Sequence, residues 1–164
     1  MISEKIKSLI ELEKGKYPVE KQQSAVIASL ALIQAEQGYI SQKAIQDIAK
    51  LLSMPTISVY EVASFYNMFD LKPGAKYKIT MCTNLPCMLS GANETFSYLC
   101  EKLGINDKSN GGITKDRKFS IQIGECFGAC GDAPVLLVNN HQMKIKMNKA
   151  AIDELIKYLS AKLD

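Results

Sequence analysis

Apolar residues recur every three or four positions through the first 70 residues, a period that predicts amphipathic helices. Four such segments cover residues 2–13, 20–37, about 41–52 and about 58–66, with short turns between them. Ser41 precedes the third segment as an N-cap, and Ser58 with Glu61 forms a candidate capping box for the fourth. The pattern therefore predicts an N-terminal helical bundle over residues 1–71.

The hydrophobic period changes after Lys72-Pro73-Gly74. The segments that follow predict four strands and two helices: strands Lys76–Met81, Lys118–Ile123, Pro134–Val138 and Gln142–Met147, a helix over about Ser90–Leu103, and a closing helix after Asn148. Residues 104–117 are polar and predict a loop, and Asn139-Asn140 predicts a turn. The order β-α-β-β-β-α suits a small mixed sheet in a thioredoxin-like layout. The predicted fold class is α+β, with the helical bundle followed by a thioredoxin-like α/β domain over residues 72–164.

Composition and charge exclude several classes of protein. With 47% apolar and 23% charged residues in 164 positions, the chain reads as an ordinary globular protein rather than a disordered or fibrous one. The longest apolar run, Ser24–Ile33, is too short to span a bilayer, and the N-terminus lacks the apolar region of a secretion signal. The net charge is +3 and Arg117 is the single arginine, so nucleic-acid binding is not expected. We expect a cytoplasmic protein without direct membrane insertion.

Two pairs of cysteines carry the candidate chemistry. Cys82 and Cys87 form a C-x4-C pair, and Cys126 and Cys130 form a C-x3-C pair further along the chain. Each pair follows a predicted strand, so the loops at the ends of two strands can bring four thiols together around one shared site. In a reducing compartment, paired cysteines point to metal or redox chemistry rather than to a disulfide framework.

Three kinds of site compete for these thiols. A dithiol oxidoreductase needs a C-x-x-C motif, which the chain lacks. A structural zinc remains possible, because three or four residues between paired cysteines is at the long end of the usual spacing of zinc ligands. A [2Fe–2S] cluster fits best, because it needs four thiolates, two on each iron, and a C-x4-C spacer is familiar among such ligand sets. Gly124, Gly128 and Gly131 also let the backbone turn closely and direct N–H groups at the sulfur atoms of the cluster. A Rieske centre needs two histidines and the chain has only His141, while Cys100 lies at helical spacing among apolar residues and is expected in the core.

The cysteine loops carry a resemblance to a known family. Cys82-Thr-Asn-Leu-Pro-Cys87-Met-Leu-Ser-Gly91 and Gly124-Glu-Cys126-Phe-Gly-Ala-Cys130-Gly-Asp-Ala-Pro134 resemble the two cluster loops of the small [2Fe–2S] subunit of NADH:quinone oxidoreductase, the 24 kDa or E subunit of respiratory complex I. Glu36–Ser41 and Val59–Phe69 resemble N-terminal signatures of the same family. Met88, Ser90 and Gly131-Asp132 depart from the family pattern without affecting a candidate ligand.

This resemblance implies an electron-transfer subunit that is not itself a complete enzyme. It implies one [2Fe–2S] cluster of the N1a type and no catalytic residues, with the cluster ligands Cys82, Cys87, Cys126 and Cys130. It also implies a flavoprotein partner that carries FMN and binds NADH, other peripheral-arm subunits, and a place on the inner face of a bacterial cytoplasmic membrane through the complex. The alternatives are the equivalent subunit of a soluble NAD-linked hydrogenase or formate dehydrogenase, and a zinc-stabilised interaction module.

Overall fold

The computed structural model describes residues 2–162 of the chain. These residues form two compact units that divide between Pro73 and Gly74. The boundary predicted from the sequence lies between residues 71 and 72. The assignment of residues 1–71 and 72–164 as two separate domains stays a prediction.

The first unit is helical throughout. Its elements are α1 (Glu4–Lys14), a 3₁₀ segment (Val19–Ala25), α2 (Val26–Gln37), α3 (Gln42–Leu51) and α4 (Thr56–Phe65). The continuous helix predicted over residues 20–37 is wrong in its first part, because the 3₁₀ segment occupies residues 19–25 and the α-helix begins only at Val26. The 3₁₀ segment, VEKQQSA, is polar apart from its ends, so it lacks the apolar stripe that packing needs to stabilise an α-helix.

Local signals set most of the helix ends in this unit. Ser41 caps α3 as predicted, accepting a hydrogen bond from the Ala44 amide at 3.1 Å, and Gly38 ends α2 in the left-handed conformation with φ 77°. The capping box at Ser58 is wrong, because α4 begins two residues earlier, after Pro55. Proline supplies a fixed φ and its carbonyl accepts the first amides of the helix, so Ser58 falls inside the first turn.

The core of the first unit takes side chains from all four helices. The run at residues 24–33 contributes to this core as predicted, since Leu30 and Ile33 are fully buried. The helix α4 is divided between the core and solvent: Val59 is fully buried, whereas Ile57 and Phe65 are 61% and 80% exposed. The sequence alone did not decide between these two environments for the segment.

The second unit is built on a five-stranded mixed sheet. In the described residues its elements are β1 (Tyr77–Cys82), α5 (Leu85–Leu89), α6 (Ala92–Lys102), β2 (Gly111–Ile113), β3 (Phe119–Gly124), a 3₁₀ turn (Cys130–Asp132), β4 (Leu136–Val138), β5 (Gln142–Lys144) and α7 (Lys149–Ala161). The strand order is β2-β3-β1-β4-β5, with β1 and β3 parallel and the other neighbours antiparallel. The predicted α+β fold class is confirmed. The prediction of four strands is wrong by one, because β2 lies inside the expected loop.

Helices α6 and α7 pack with the central strands in one hydrophobic core. Ile79 and Met81 of β1 belong to the same buried cluster as Leu99 of α6 and Ile152 of α7. The predicted cap is present, since Asn148 Oδ1 accepts from the Ala151 amide at 3.0 Å. Because β1 and β3 are parallel neighbours, their carboxyl ends lie at the same edge of the sheet.

Two loop features complete the second unit. Asn139 and Asn140 both have positive φ, 50° and 63°, as a tight turn between two antiparallel strands requires. The Ala133–Pro134 peptide bond is cis. None of the helices in the described residues is long and apolar enough to cross a membrane.

Candidate metal centre

The first cysteine loop begins at the carboxyl end of β1. Cys82 is the last residue of the strand, and its amide donates to the Val135 carbonyl at 3.0 Å. Cys87 follows in the short helix α5, where Pro86 occupies the first turn and suits a helix start. Both thiols are buried, each in a residue only 1% exposed. The first loop therefore places its two sulfurs inside the protein.

The second cysteine loop begins where β3 ends. Cys126 and Cys130 are both exposed, and their sulfur atoms lie 3.7 Å apart. Gly128, with φ 77°, turns the backbone so that its N–H lies 3.4 Å from Cys126 Sγ. This contact reaches a cysteine sulfur, and the donation of N–H groups to the sulfur atoms of a cluster stays a prediction. Gly131 has no positive φ.

Three contacts hold the two loops together. Cys82 and Gly124 are partners in the parallel register of β1 and β3. One residue further on, the Thr83 amide donates to the Gly124 carbonyl at 3.3 Å, and Asn84 Nδ2 donates to Glu125 Oε2 at 2.8 Å. Sequence analysis missed the Asn84–Glu125 link. The only signal for it was a polar residue placed shortly after each of two predicted strands.

The pKa values of Cys87 and Cys130 are each raised by thiols of both loops. Burial raises the pKa of Cys87, a backbone hydrogen bond from Val135 opposes this, and Cys82 and Cys130 both raise it further. The hydrogen bond and charge of Cys126 raise the pKa of Cys130, and Cys82 adds to the effect. Crowded thiols resist losing protons because their negative charges repel. A bound cation removes that repulsion, and metal binding to thiols accordingly releases protons.

Val135 is a contributor that the sequence analysis did not single out. Its carbonyl accepts from the Cys82 amide and its own backbone N–H acts on the Cys87 thiol. Val135 therefore ties both buried cysteines to the segment just after the cis Ala133–Pro134 bond.

The remaining cysteine and the histidine lie elsewhere, as the sequence predicts. Cys100 is fully buried in α6, in the same core cluster as Phe96 and Leu99, and the pKa of its thiol is raised by burial and then by the charge of Asp107. His141 is exposed in the turn between β4 and β5. Neither residue belongs to the group of four thiols.

The donor set fits a [2Fe–2S] cluster. Such clusters are held by four cysteine thiolates, and the two loops supply four cysteines, two buried and two exposed. A backbone N–H directed at a cysteine sulfur, as from Gly128, favours the negative charge of such a site. Within residues 2–162, no three His, Cys, Asp or Glu side chains are grouped closely enough to hold one single metal ion.

Comparison with known proteins places this arrangement in context. Residues 10–160 match the family model described as thioredoxin-like [2Fe-2S] ferredoxin, which bears out the predicted thioredoxin-like layout. The chain is 44% identical over 126 residues to the E subunit of the NADH-quinone oxidoreductase of Rickettsia bellii, covering 76% of this chain and 74% of that one. It is 37% identical over 147 residues to subunit 2 of the NADH-quinone oxidoreductase of Thermus thermophilus, covering 90% and 80% of the two chains.

A solved structure shares the fold. A chain of an NAD⁺-reducing [NiFe]-hydrogenase in the air-oxidised state superposes with a TM-score of 0.73 at 24% sequence identity. The match covers 85% of this chain but only 23% of the hydrogenase chain. At that identity the likeness shows a common fold and no more.

Proposed function

The chain belongs to the thioredoxin-like [2Fe–2S] ferredoxin family and is homologous to the E subunit of NADH-quinone oxidoreductase, and on this premise we propose how it works as an electron-transfer subunit. It holds one [2Fe–2S] cluster through Cys82, Cys87, Cys126 and Cys130. The observation that carries this proposal is the meeting of two cysteine pairs at the adjacent carboxyl ends of the parallel strands β1 and β3.

The distance within the exposed pair supports a shared iron. Two thiolates bound to one tetrahedral metal at about 2.3 Å are separated by about 3.8 Å. The sulfur atoms of Cys126 and Cys130 already lie 3.7 Å apart. We therefore assign Cys126 and Cys130 to one iron and the buried pair, Cys82 and Cys87, to the other.

When bound, a [2Fe–2S] cluster supplies a carrier for one electron at a time. The protein sets its surroundings: Cys82 and Cys87 lie inside the second unit, whereas Cys126 and Cys130 lie at its surface. A redox partner can approach closely only from the exposed side. The loop at residues 126–130 is thus proposed as the side on which electrons enter or leave.

The proposed electron donor is a flavoprotein partner that carries FMN and binds NADH. A nicotinamide delivers a hydride, which is a two-electron unit, so a flavin must stand between it and a one-electron carrier. This chain shows no Gly-rich nucleotide fingerprint in its sequence. We therefore propose that it is a non-catalytic subunit. By its relationship to the E subunits, we also propose that its cluster is of the N1a type and that its complex places it at the inner face of the cytoplasmic membrane.

We further propose a division of labour between residues 1–71 and residues 72–164. The second part contains the sheet, its helices and all four cysteines proposed as ligands, so it has what it needs to fold and hold a cluster. The first part exposes large apolar side chains, including Phe65 at 80% and Ile57 at 61%, which suits attachment to other subunits of the complex.

The alternative is the equivalent subunit of a soluble NAD-linked hydrogenase, which the common fold permits. The higher sequence identity to the quinone-oxidoreductase subunits favours the first assignment. Both assignments require the same cluster. A zinc-stabilised module, in contrast, would be colourless and inert to reduction.

The test is to mix the full chain, loaded with iron and sulfide, with NADH in the presence and absence of the flavoprotein subunit. We expect the visible absorbance of the cluster to bleach only when the flavoprotein is present. Because plant-type clusters have reduction potentials of about −400 mV, NADH should reduce a similarly low cluster only in part and dithionite should reduce the rest. Sustained NADH oxidation by this chain alone, with ferricyanide as acceptor, would contradict the subunit assignment.

A further inference from the structure

The end of β3 has no room for a side chain. A methyl group placed on Gly124 would lie 2.5 Å from Thr80 Cγ2 and 2.9 Å from Phe127 Cζ. Carbon atoms in contact normally stay about 3.5–4.0 Å apart. Gly124 is also the register partner of Cys82, so this crowded point lies directly beside the cluster loops.

The two neighbours of Gly124 cannot easily move away. Thr80 lies on β1, in the middle of the sheet, and is only 6% exposed, and its β-branched side chain has few alternative rotamers. Phe127 is half-buried and packs against the core of the second unit. Its rigid ring therefore occupies the space that a side chain at position 124 would need.

Phe127 also lies between the two exposed cysteines in the chain. Cys126 and Cys130 project at the surface, and the residues between them that pack against the core are Phe127 and Ala129. The phenyl ring is much the larger of these two contacts. The position of the exposed sulfur pair relative to the buried pair thus depends on where this ring is seated.

We propose that Phe127 is a positioning residue for the metal centre, and that Gly124 is required because its missing side chain forms the seat of the Phe127 ring. The ring fixes the 126–130 loop against the sheet, so that Cys126 and Cys130 stay within ligand distance of the cluster held by Cys82 and Cys87. This inference rests on the proposed four-cysteine cluster and extends it to residues that touch no iron.

The first comparison uses two glycines of the second unit. Gly124→Ala should displace the ring, whereas Gly74→Ala, at the start of the unit and outside both cysteine loops, is the matched control because no heavy atom lies within 4 Å of the added methyl group. Full-length chains loaded with iron and sulfide are challenged with an iron chelator, and the loss of visible absorbance is followed. We expect Gly124→Ala to lose iron faster by about 10- to 100-fold, the usual effect of disturbing groups that orient metal ligands. Gly74→Ala should match the unaltered chain.

The second comparison decides the matter if Gly124→Ala does not fold. Phe127→Leu removes the ring that contacts Gly124. Phe119→Leu removes a more deeply buried ring, on β3, from the same hydrophobic core. Phe119→Leu should lower the melting temperature yet leave the chelation rate and the paramagnetic resonance spectrum of the reduced cluster unchanged. Phe127→Leu should speed iron loss and shift that spectrum.

The outcomes separate this inference from the function it rests on. If the unaltered chain holds no iron and sulfide, the proposed function fails. If it holds a cluster and Phe127→Leu behaves like Phe119→Leu in both the chelation rate and the spectrum, the positioning role is overturned. Equal chelation rates for a folded Gly124→Ala and for Gly74→Ala would overturn it as well.

Discussion

Replacing Cys100 with alanine separates the effect of burial from the effect of cluster ligation. Cys87 and Cys100 are alike in most respects: they are 1% and 0% exposed, both lie in helices, and burial is the first cause that raises the pKa of each thiol. They differ in their neighbours. Other thiols act on Cys87, whereas the charges acting on Cys100 come from Asp107 and Lys108. Cys87→Ala is therefore the matched variant for Cys100→Ala.

The expected cost of Cys100→Ala follows from the volume removed. Burying one methylene-sized group contributes about 0.8 kcal/mol, and a small residual cavity brings the loss to about 1 kcal/mol. In a chain of 164 residues such a loss lowers the melting temperature by about 2–4 °C. Cys87→Ala should cost the cluster-free chain a similar amount, because its side chain is equally buried.

The two variants should differ in iron content and visible spectrum when iron and sulfide are supplied. Each is loaded without oxygen, and iron and acid-labile sulfide per chain are measured beside the visible spectrum. Melting is then followed by far-UV circular dichroism. Cys100→Ala should take up the full complement of iron and give an unchanged spectrum. Cys87→Ala should lose most of its iron or give an altered spectrum.

The reverse result would refute the ligand assignment. If Cys100→Ala loses its iron while remaining folded, the fifth cysteine takes part in the centre. If Cys87→Ala keeps a full, spectrally unchanged cluster, the first loop does not supply two ligands. A shift of the melting temperature alone, in either variant, leaves the assignment intact and tests only the expected cost of lost burial.

Three further predictions concern other parts of the chain. Thr80 Oγ1 is buried and has no hydrogen-bond partner within residues 2–162, so Thr80→Val should raise the free energy of unfolding of the cluster-free chain by about 1 kcal/mol in urea titrations, and a clear decrease would show that the hydroxyl is satisfied. Hydrogen bonds from Lys102 and then Tyr98 lower the pKa of Asp153, so its stabilising effect is present above its unfolded value of about 4 and is lost as the pH falls further. Asp153→Asn should therefore flatten the acid limb of the stability–pH curve, and an unchanged limb would contradict this. A chain lacking residues 1–70 should keep its colour but bind the flavoprotein subunit much more weakly, and full-strength binding would refute the division of labour.

Periodic patterns were sufficient to predict most of the fold. The buried faces of α6 and α7, the caps at Ser41 and Asn148, and the turn at Asn139-Asn140 all follow from short-range signals that the structure keeps. These signals are reliable because a cap or an apolar stripe depends only on residues within one or two helical turns of each other.

The elements that were missed are short or lack such a signal. The strand β2 has three residues, two of them glycine, so no alternation of apolar and polar side chains was there to detect. The helix α5 has only five residues, among them Cys87, and is too short for a helical period to be recognised. The start of α4 was misplaced because Pro55 and the Ser58–Glu61 pair give competing signals only a few residues apart.

The features of the candidate site also fall into those that the sequence predicted and those that it did not. Cysteine spacing after two strands predicted which thiols would meet, because that inference needs only the direction of the strands. The Asn84–Glu125 link, the role of Val135 and the contact of Gly124 with Thr80 and Phe127 depend on the register between distant strands. A hydrophobic pattern fixes which face a residue lies on, but not its neighbour across the sheet.

The central claim is that this chain holds one [2Fe–2S] cluster on four cysteine thiolates, and electron paramagnetic resonance of the full chain tests it most directly. The protein is prepared without oxygen, reduced with dithionite and measured together with its iron and acid-labile sulfide content. The predicted result is about two iron and two sulfide per chain. The oxidised cluster should give no paramagnetic signal, and the reduced cluster should give about one unpaired spin per chain. A colourless protein that contains zinc, no sulfide and no signal on reduction would contradict the claim.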